Sequence, residues 1–528
     1  MPFDLIIRNG TVVDGTGAEP RRADVAIEGG RIAAVETLPE DAEARQTLDA
    51  SGCHVAPGFI DVHTHSDYTV LACPTCDSKV HQGVTTEIMG NCGFSPFPLK
   101  GQMLERERQE IEDLGLTPNW DDLPSYRAKL QERGHSMNVG TLVGNGNLRG
   151  STCGVGNVPK SPEVIAAQVR ELEAAMDAGA MGLSSGLIYA PSHWADTEEL
   201  VEIAKVLKRR NGLYTSHIRG EGDRLLDAVD EACTIGERAE IPVQVSHLKA
   251  CAPRNWGKVE RALERITASD SPSRWVRFDK YPYTASGTSF GSLLPDWVVD
   301  GTRDEIVARL RDRSRTDEIL ASVEERMEAE GKWVGTLISD AACEEFKALE
   351  GKCVAEAAEM TGLTPGEFFL QLLIASRGNA SMVCFTQDQG ETDRVLEHAW
   401  GMVGSDAAVR SPEGPTGQGK PHPRGYGSFA RYLRRYVRER ETLSIAEAVR
   451  KITSLPAEMF GLRGRGVLRP GAVADVTVFD LAQVNDPATF ADPHRLAEGF
   501  RHVVVGGTPV ILAGRHTGAT PGVFVERE

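Results

Sequence analysis

Eight short apolar runs separated by helix-like stretches occupy the chain between residues 55 and 406, and they constrain its fold more than any single motif. The runs are Val55–His65, Val84–Cys92, Val139–Val143, Gly182–Tyr189, Leu213–His217, Val243–His247, Val276–Tyr281 and Met402–Asp406. Pro162–Ala178, Thr197–Arg210 and Arg224–Ala239 have helical texture and separate several of them. Strands alternating with helices predict a parallel sheet, and eight such candidates predict a closed (β/α)8 barrel over residues 57–465. One section breaks the rhythm. Residues from about 286 to about 349 are charged and helical, notably Arg303–Arg315 and Asp317–Gly331. They are expected to form an insertion over the barrel mouth, either a solvated excursion or a substrate lid.

The two chain ends share a different texture. Leu5–Gly15, Ala23–Glu28 and Arg31–Val35 are rich in β-branched residues, and Gly29-Gly30 between the last two predicts a hairpin. Ala474–Asp480 and His502–Val510 read the same way. Residues 1–56 and 466–528 are therefore expected to pair into one small β-sandwich domain.

Composition excludes several classes. A formal net charge of −18 leaves no broad basic field for nucleic acid or an anionic membrane. No run of about 20 apolar residues is present to span a bilayer. Met1–Gly10 leads straight into a strand, so no secretory leader is expected. The ten cysteines are scattered and are read as reduced thiols of a cytoplasmic protein. Cys73-Pro74-Thr75-Cys76 has no second pair at zinc-ribbon spacing and is given no role.

The strongest local signal is Gly58-Phe59-Ile60-Asp61-Val62-His63-Thr64-His65. Residues two apart on a strand face the same side, so His63 and His65 would point together into a barrel, where two imidazoles suit a divalent metal. Cys92, His217, His247 and Asp406 each close a strand candidate as well. Any one of them alone reads as a core residue or a helix cap. Their shared placement at strand ends, where barrels carry their chemistry, points to a metal site. His54, His81, His135, His193, His398, His494, His502 and His516 have no such setting.

These residues resemble the amidohydrolase superfamily through Pro57–His65, the split β-domain and the strand-end histidines. More narrowly, Gly90–Ser95, Ser184–Tyr189, Ser216–Arg219, Tyr281–Ala285, Gly404–Asp406, Pro421–Gly427 and Gly466–Asp475 resemble the D-aminoacylase family, nearly end to end. The resemblance implies hydrolysis of a small-molecule N-acyl-D-amino acid to a D-amino acid and a carboxylate. It implies a tightly held zinc on Cys92, His217 and His247, with His63 and His65 completing a second, weaker position. Asp406 matches the catalytic aspartate, and Tyr189, Lys249 and Tyr283 match positions near the substrate carboxylate, with Arg424 joining them. The stretch from Asp406 to His422 is long for the family, which leaves the placement of Arg424 open. The fourth strand also lacks the metal-bridging lysine of many superfamily relatives.

The chemistry follows from the residue types. Zinc brings the pKa of bound water down to about 7 and polarises a carbonyl. Asp406 would take the water's proton and return it to the leaving amine. A hydantoinase- or dihydroorotase-type cyclic amide hydrolase is the nearest alternative, but it wants a carbamylated lysine where this chain has Gly186-Leu187-Ile188-Tyr189. A nucleobase deaminase lacks the cysteine signature, and a non-catalytic barrel scaffold would have no need of all six ligand and catalytic candidates. Side-chain preference, acyl preference and oligomeric state are not written in the sequence.

Overall fold

In the computed structural model, which describes residues 2–330 and 333–528, the chain adopts a mixed α/β fold. Phe59–Asp61, Val84–Met89 and Asn138–Thr141 form one run of neighbouring strands. Val143–Gly144 follows directly and opens a second run through Gly182–Gly186, Leu213–His217, Val243–Val245, Val276–Lys280 and Gly401–Val403. Every neighbouring pair is parallel and spatial order equals chain order. The last strand returns to the first: Thr64 and Ala407 form a parallel bridge, and the Asp406 N–H donates to the His63 carbonyl at 2.8 Å. All eight expected runs thus contain strand.

The crossover helices show why. Thr197–Arg209 buries Leu200, Ile203, Ala204 and Leu207 on one stripe, and the Asp196 carboxylate accepts from the Glu199 N–H to start it. Pro162–Asp177 starts on Ser161 with Pro162 in its first turn. Such helices cover the parallel strands, whose residues are therefore almost all buried.

The chain ends meet in one nine-stranded sheet. His54–Pro57 runs antiparallel to Val476–Phe479, which joins the N-terminal strands to the C-terminal ones. Ile7, Val25, Ile27, Val55, Val478 and Val504 form its core. The predicted hairpin is present: Glu28 pairs with Arg31, and Gly29 and Gly30 both take positive φ as a tight primed turn requires.

Between Val276–Lys280 and Gly401–Val403 the chain builds a separate unit. Ser286–Ser289, Thr336–Asp340 and Ser381–Cys384 form an antiparallel sheet over a separate core that includes Phe290, Val323, Val354, Phe368 and Leu373. The segment does not close near residue 349, because Ser381–Cys384 is the central strand of its sheet and Phe368 and Leu373 belong to its core. The charged helix runs Thr316–Glu330, and Gly331 lies outside the described residues. No helix among the described residues is long and apolar enough to cross a membrane.

Candidate metal centre and substrate cavity

The parallel strands end at a cavity of about 1050 Å3 lined by His65, Cys92, His217, His247 and Asp406. Three of these residues sit at positive φ: Cys92 at 53°, His247 at 36° and Asp406 at 50°. Non-glycine residues hold that conformation only where surrounding structure imposes it, and they cluster at functional sites. Here the left-handed turn ends each strand with its side chain aimed inward. Gly404 permits a close approach, since a Cβ there would lie 2.6 Å from His63 Cβ and 2.7 Å from Asp279 Oδ1.

The donor atoms converge. Cys92 Sγ lies 3.2 Å from His63 Nε2 and 3.6 Å from His247 Nε2, and His247 Nε2 lies 2.9 Å from His217 Nδ1. Tetrahedral nitrogen and sulfur ligands of zinc stand roughly 3.3–3.6 Å apart, so this buried set fits a zinc ion. Two overlapping groups share His247: one with His63, Cys92 and Asp406, the other with His217 and Glu221. His65 stands slightly apart and meets Asp406 Oδ1 through Nε2 at 2.9 Å.

Outer partners fix the ring orientations, as ligand histidines require. His63 Nδ1 faces Asp279 Oδ1 at 3.1 Å, and His247 Nδ1 faces Glu221 Oε1 at 3.0 Å, leaving both Nε2 atoms toward the cysteine. Burial opposes charge on every group here, and the charge pattern overrides it in most. Despite burial, His63, His217 and His247 hold the Cys92 thiol well below its ordinary range, toward the thiolate form that metals bind. Burial also opposes the Asp406 carboxylate, but Arg424, His247 and His63 hold it well below its usual range. Asp406 Oδ2 takes the Arg424 guanidinium at 2.8 Å. His65 is raised to about 9, against burial, chiefly by its bond to Asp406.

The structure places Tyr189, Lys249 and Arg424 in the cavity lining. The Tyr189 hydroxyl lies 2.8 Å from Thr288 Oγ1 of the inserted segment. Lys249 does not reach for solvent; its Nζ donates to Glu221 at 2.5 Å. Arg424, left open by the long preceding stretch, lies beside Asp406 and over the Tyr281 ring at 4.6 Å. Tyr283 is the correction. Its N–H donates to the Tyr281 carbonyl at 2.9 Å, a tight turn that swings its side chain away toward Arg431, and it does not line the cavity. Tyr281 lines it instead, with its hydroxyl accepting from Gln387 at 3.0 Å. Sequence reasoning also missed Asp279 and Glu221. The readable signals were a carboxylate inside the strand Val276–Lys280 and an acid four residues after His217. The cavity end of the Gly182–Gly186 strand continues as Leu187-Ile188-Tyr189 and supplies no lysine.

Comparison with known proteins agrees with this geometry. The model of the amidohydrolase family matches residues 46–288 and 398–511. The chain belongs to the amidohydrolase family and, within it, to the D-aminoacylase family. An N-acyl-D-glutamate deacylase of Alcaligenes xylosoxydans xylosoxydans is 37% identical over 96% of this chain and 93% of its own. A D-aminoacylase of the same organism is 33% identical over 98% and 97%. A crystal structure of N-acyl-D-glutamate deacylase from Bordetella bronchiseptica, complexed with zinc and a phosphonate mimic of the tetrahedral intermediate, superposes with a TM-score of 0.85 at 35% identity, covering all of both chains.

Proposed function

We propose that this chain is a zinc-dependent N-acyl-D-amino-acid deacylase, built as a (β/α)8 barrel over 57–465 with a small β-sandwich domain from 1–56 and 466–528. The observation that carries the reading is the convergence of Cys92, His63, His217, His247 and Asp406 at one cavity. The bridge between Thr64 and Ala407 supports barrel closure. Cys92, His217 and His247 would hold the tight zinc, and His63 and His65 would complete a weaker position. When bound, zinc supplies an acidified water and a polarised amide carbonyl.

The chain's own residues do the rest. Asp406 is ionised and positioned, so it accepts the proton of the attacking water and returns it to the departing amine nitrogen. Arg424 and Lys249 fix the carboxylate of the substrate by charged hydrogen bonds, with Tyr189 and Tyr281 alongside. Glu221 holds both Lys249 and His247, so it ties the carboxylate anchor to a metal ligand. The inserted segment roofs the cavity through Thr288, Leu293 and Leu294, limiting water around the amide.

The test is release of free amino acid from N-acetyl-D- and N-acetyl-L-amino acids, with hydantoin and dihydroorotate opening followed in parallel. Turnover is expected for the D-series alone, lost on chelation and restored by zinc. Opening of the cyclic amides alone would replace this reading with the cyclic-amide one.

A further inference from the structure

One chain position to either side of Asp406, a buried ammonium takes hold of the Ser405 hydroxyl and the Ala407 carbonyl. Lys79, in the short helix Asp77–Val80, is fully buried. Its Nζ donates to Asp61 Oδ2 at 2.7 Å, to Ser405 Oγ at 2.5 Å and to the Ala407 carbonyl at 3.0 Å. Asp61 closes the clamp from the neighbouring strand, where its Oδ1 accepts from the Ser405 N–H at 2.9 Å and the His63 N–H at 3.3 Å. Four groups from three separate parts of the chain therefore surround the residue that holds a left-handed φ at the reaction centre.

We propose that Lys79 and Asp61 are positioning residues, which lock the backbone of Asp406 against that of His63 so that the carboxylate and the metal ligands keep one geometry. The proposal rests on the reading of Asp406 given above. A buried ion pair is a poor source of net stability, because desolvating two charges offsets most of their attraction. An apolar pair would fill the same space, but it would not fasten Ser405 and Ala407 at once. Glu87 is the other acid facing Lys79, but at 4.0 Å it stands farther off than Asp61 at 2.7 Å, so Asp61 is the direct partner. The strain at Asp406 needs such a clamp, since an L residue relaxes from positive φ when its neighbours are free.

The experiment uses the full-length, zinc-replete protein with Lys79→Met, the double variant Lys79→Met/Asp61→Asn, and Ser405→Ala. Lys79→Met strands the Asp61 charge and lowers the melting temperature. The double variant removes both charges while its amide oxygen still accepts from Ser405 and His63, so the melting temperature returns to near the original. Its zinc content is expected to match wild type while kcat stays down ~100-fold, the scale of a misplaced catalytic group, with KM nearly unchanged. Recovery of kcat to within about threefold of wild type in the double variant would make the pair merely structural and overturn the proposal. Where the double variant does not recover its melting temperature, Ser405→Ala decides. A loss of kcat at unchanged KM and melting temperature supports the clamp, and an unchanged kcat overturns it. Wild-type turnover in Asp406→Asn would instead defeat the reading of Asp406 itself, which is a separate result.

Discussion

The nine-stranded sheet and the cavity end of the parallel strands are both buried, yet they are filled by opposite kinds of side chain. In the sheet the interior is Ile7, Val25, Ile27, Val476 and Val504, and each position obeys strand alternation and β-propensity. Around the candidate metal centre the buried side chains are His63, Asp61, Lys79, Cys92, His247, Asp279 and Asp406, three of them at positive φ. Local rules fail where the molecule needs chemistry, and the remainder of the fold sustains that cost. Variants in the sheet should therefore move stability alone, and variants at the cavity should move turnover first.

The largest expected effect tests the cavity side. Asp406→Asn keeps the shape and removes the base, so kcat is expected to fall by about 10³–10⁴-fold in an assay of amino-acid release, with the fold intact. Glu87 sharpens the boundary between the two regions, because it is a buried acid that the chemistry does not use. Burial first, with Lys79 opposing, raises its carboxyl from 4.5 to about 8. The folded state therefore binds this proton more tightly than the unfolded one. The stabilisation it gives is complete below the unfolded value and is lost as pH rises through about 8. Glu87→Gln should gain on wild type across that window, by up to about 5 kcal/mol near pH 9, in melting or urea curves taken at about pH 5 and 9. Glu221→Gln is expected to weaken zinc affinity or turnover by about 10–100-fold, read by metal titration and kinetics. Ile27→Val, in the sheet, is expected to cost about 1 kcal/mol and leave kcat unchanged. A large kinetic effect there would break the contrast.

Legibility divides along the same line. The eight strands and the two-ended sheet could be read because apolar runs and β-branched texture are local properties. Cys92, His217, His247 and Asp406 could be read because each closes a strand. Asp279 and Glu221 could not, since only folding shows that they face ring nitrogens of His63 and His247. Tyr281 and Tyr283 stand two apart, and a turn rather than a strand decides which one enters the cavity. The end of the inserted segment was hidden because Pro365–Ala375, an apolar helix behind a Thr364 cap, has the texture of a crossover helix.

That segment leaves and rejoins the main body at nearly one place, for Ser286 and Cys384 are direct partners across its antiparallel strands. It is thus a unit joined through a single strand pair, with its own core and a face of Thr288, Leu293 and Leu294 turned to the cavity. The match to the amidohydrolase family model breaks at residue 288 and resumes at 398, around this unit. A floor of strand ends is thus paired with a roof that carries its own core, so the roof's cavity-facing side chains can change without repacking the strands beneath them.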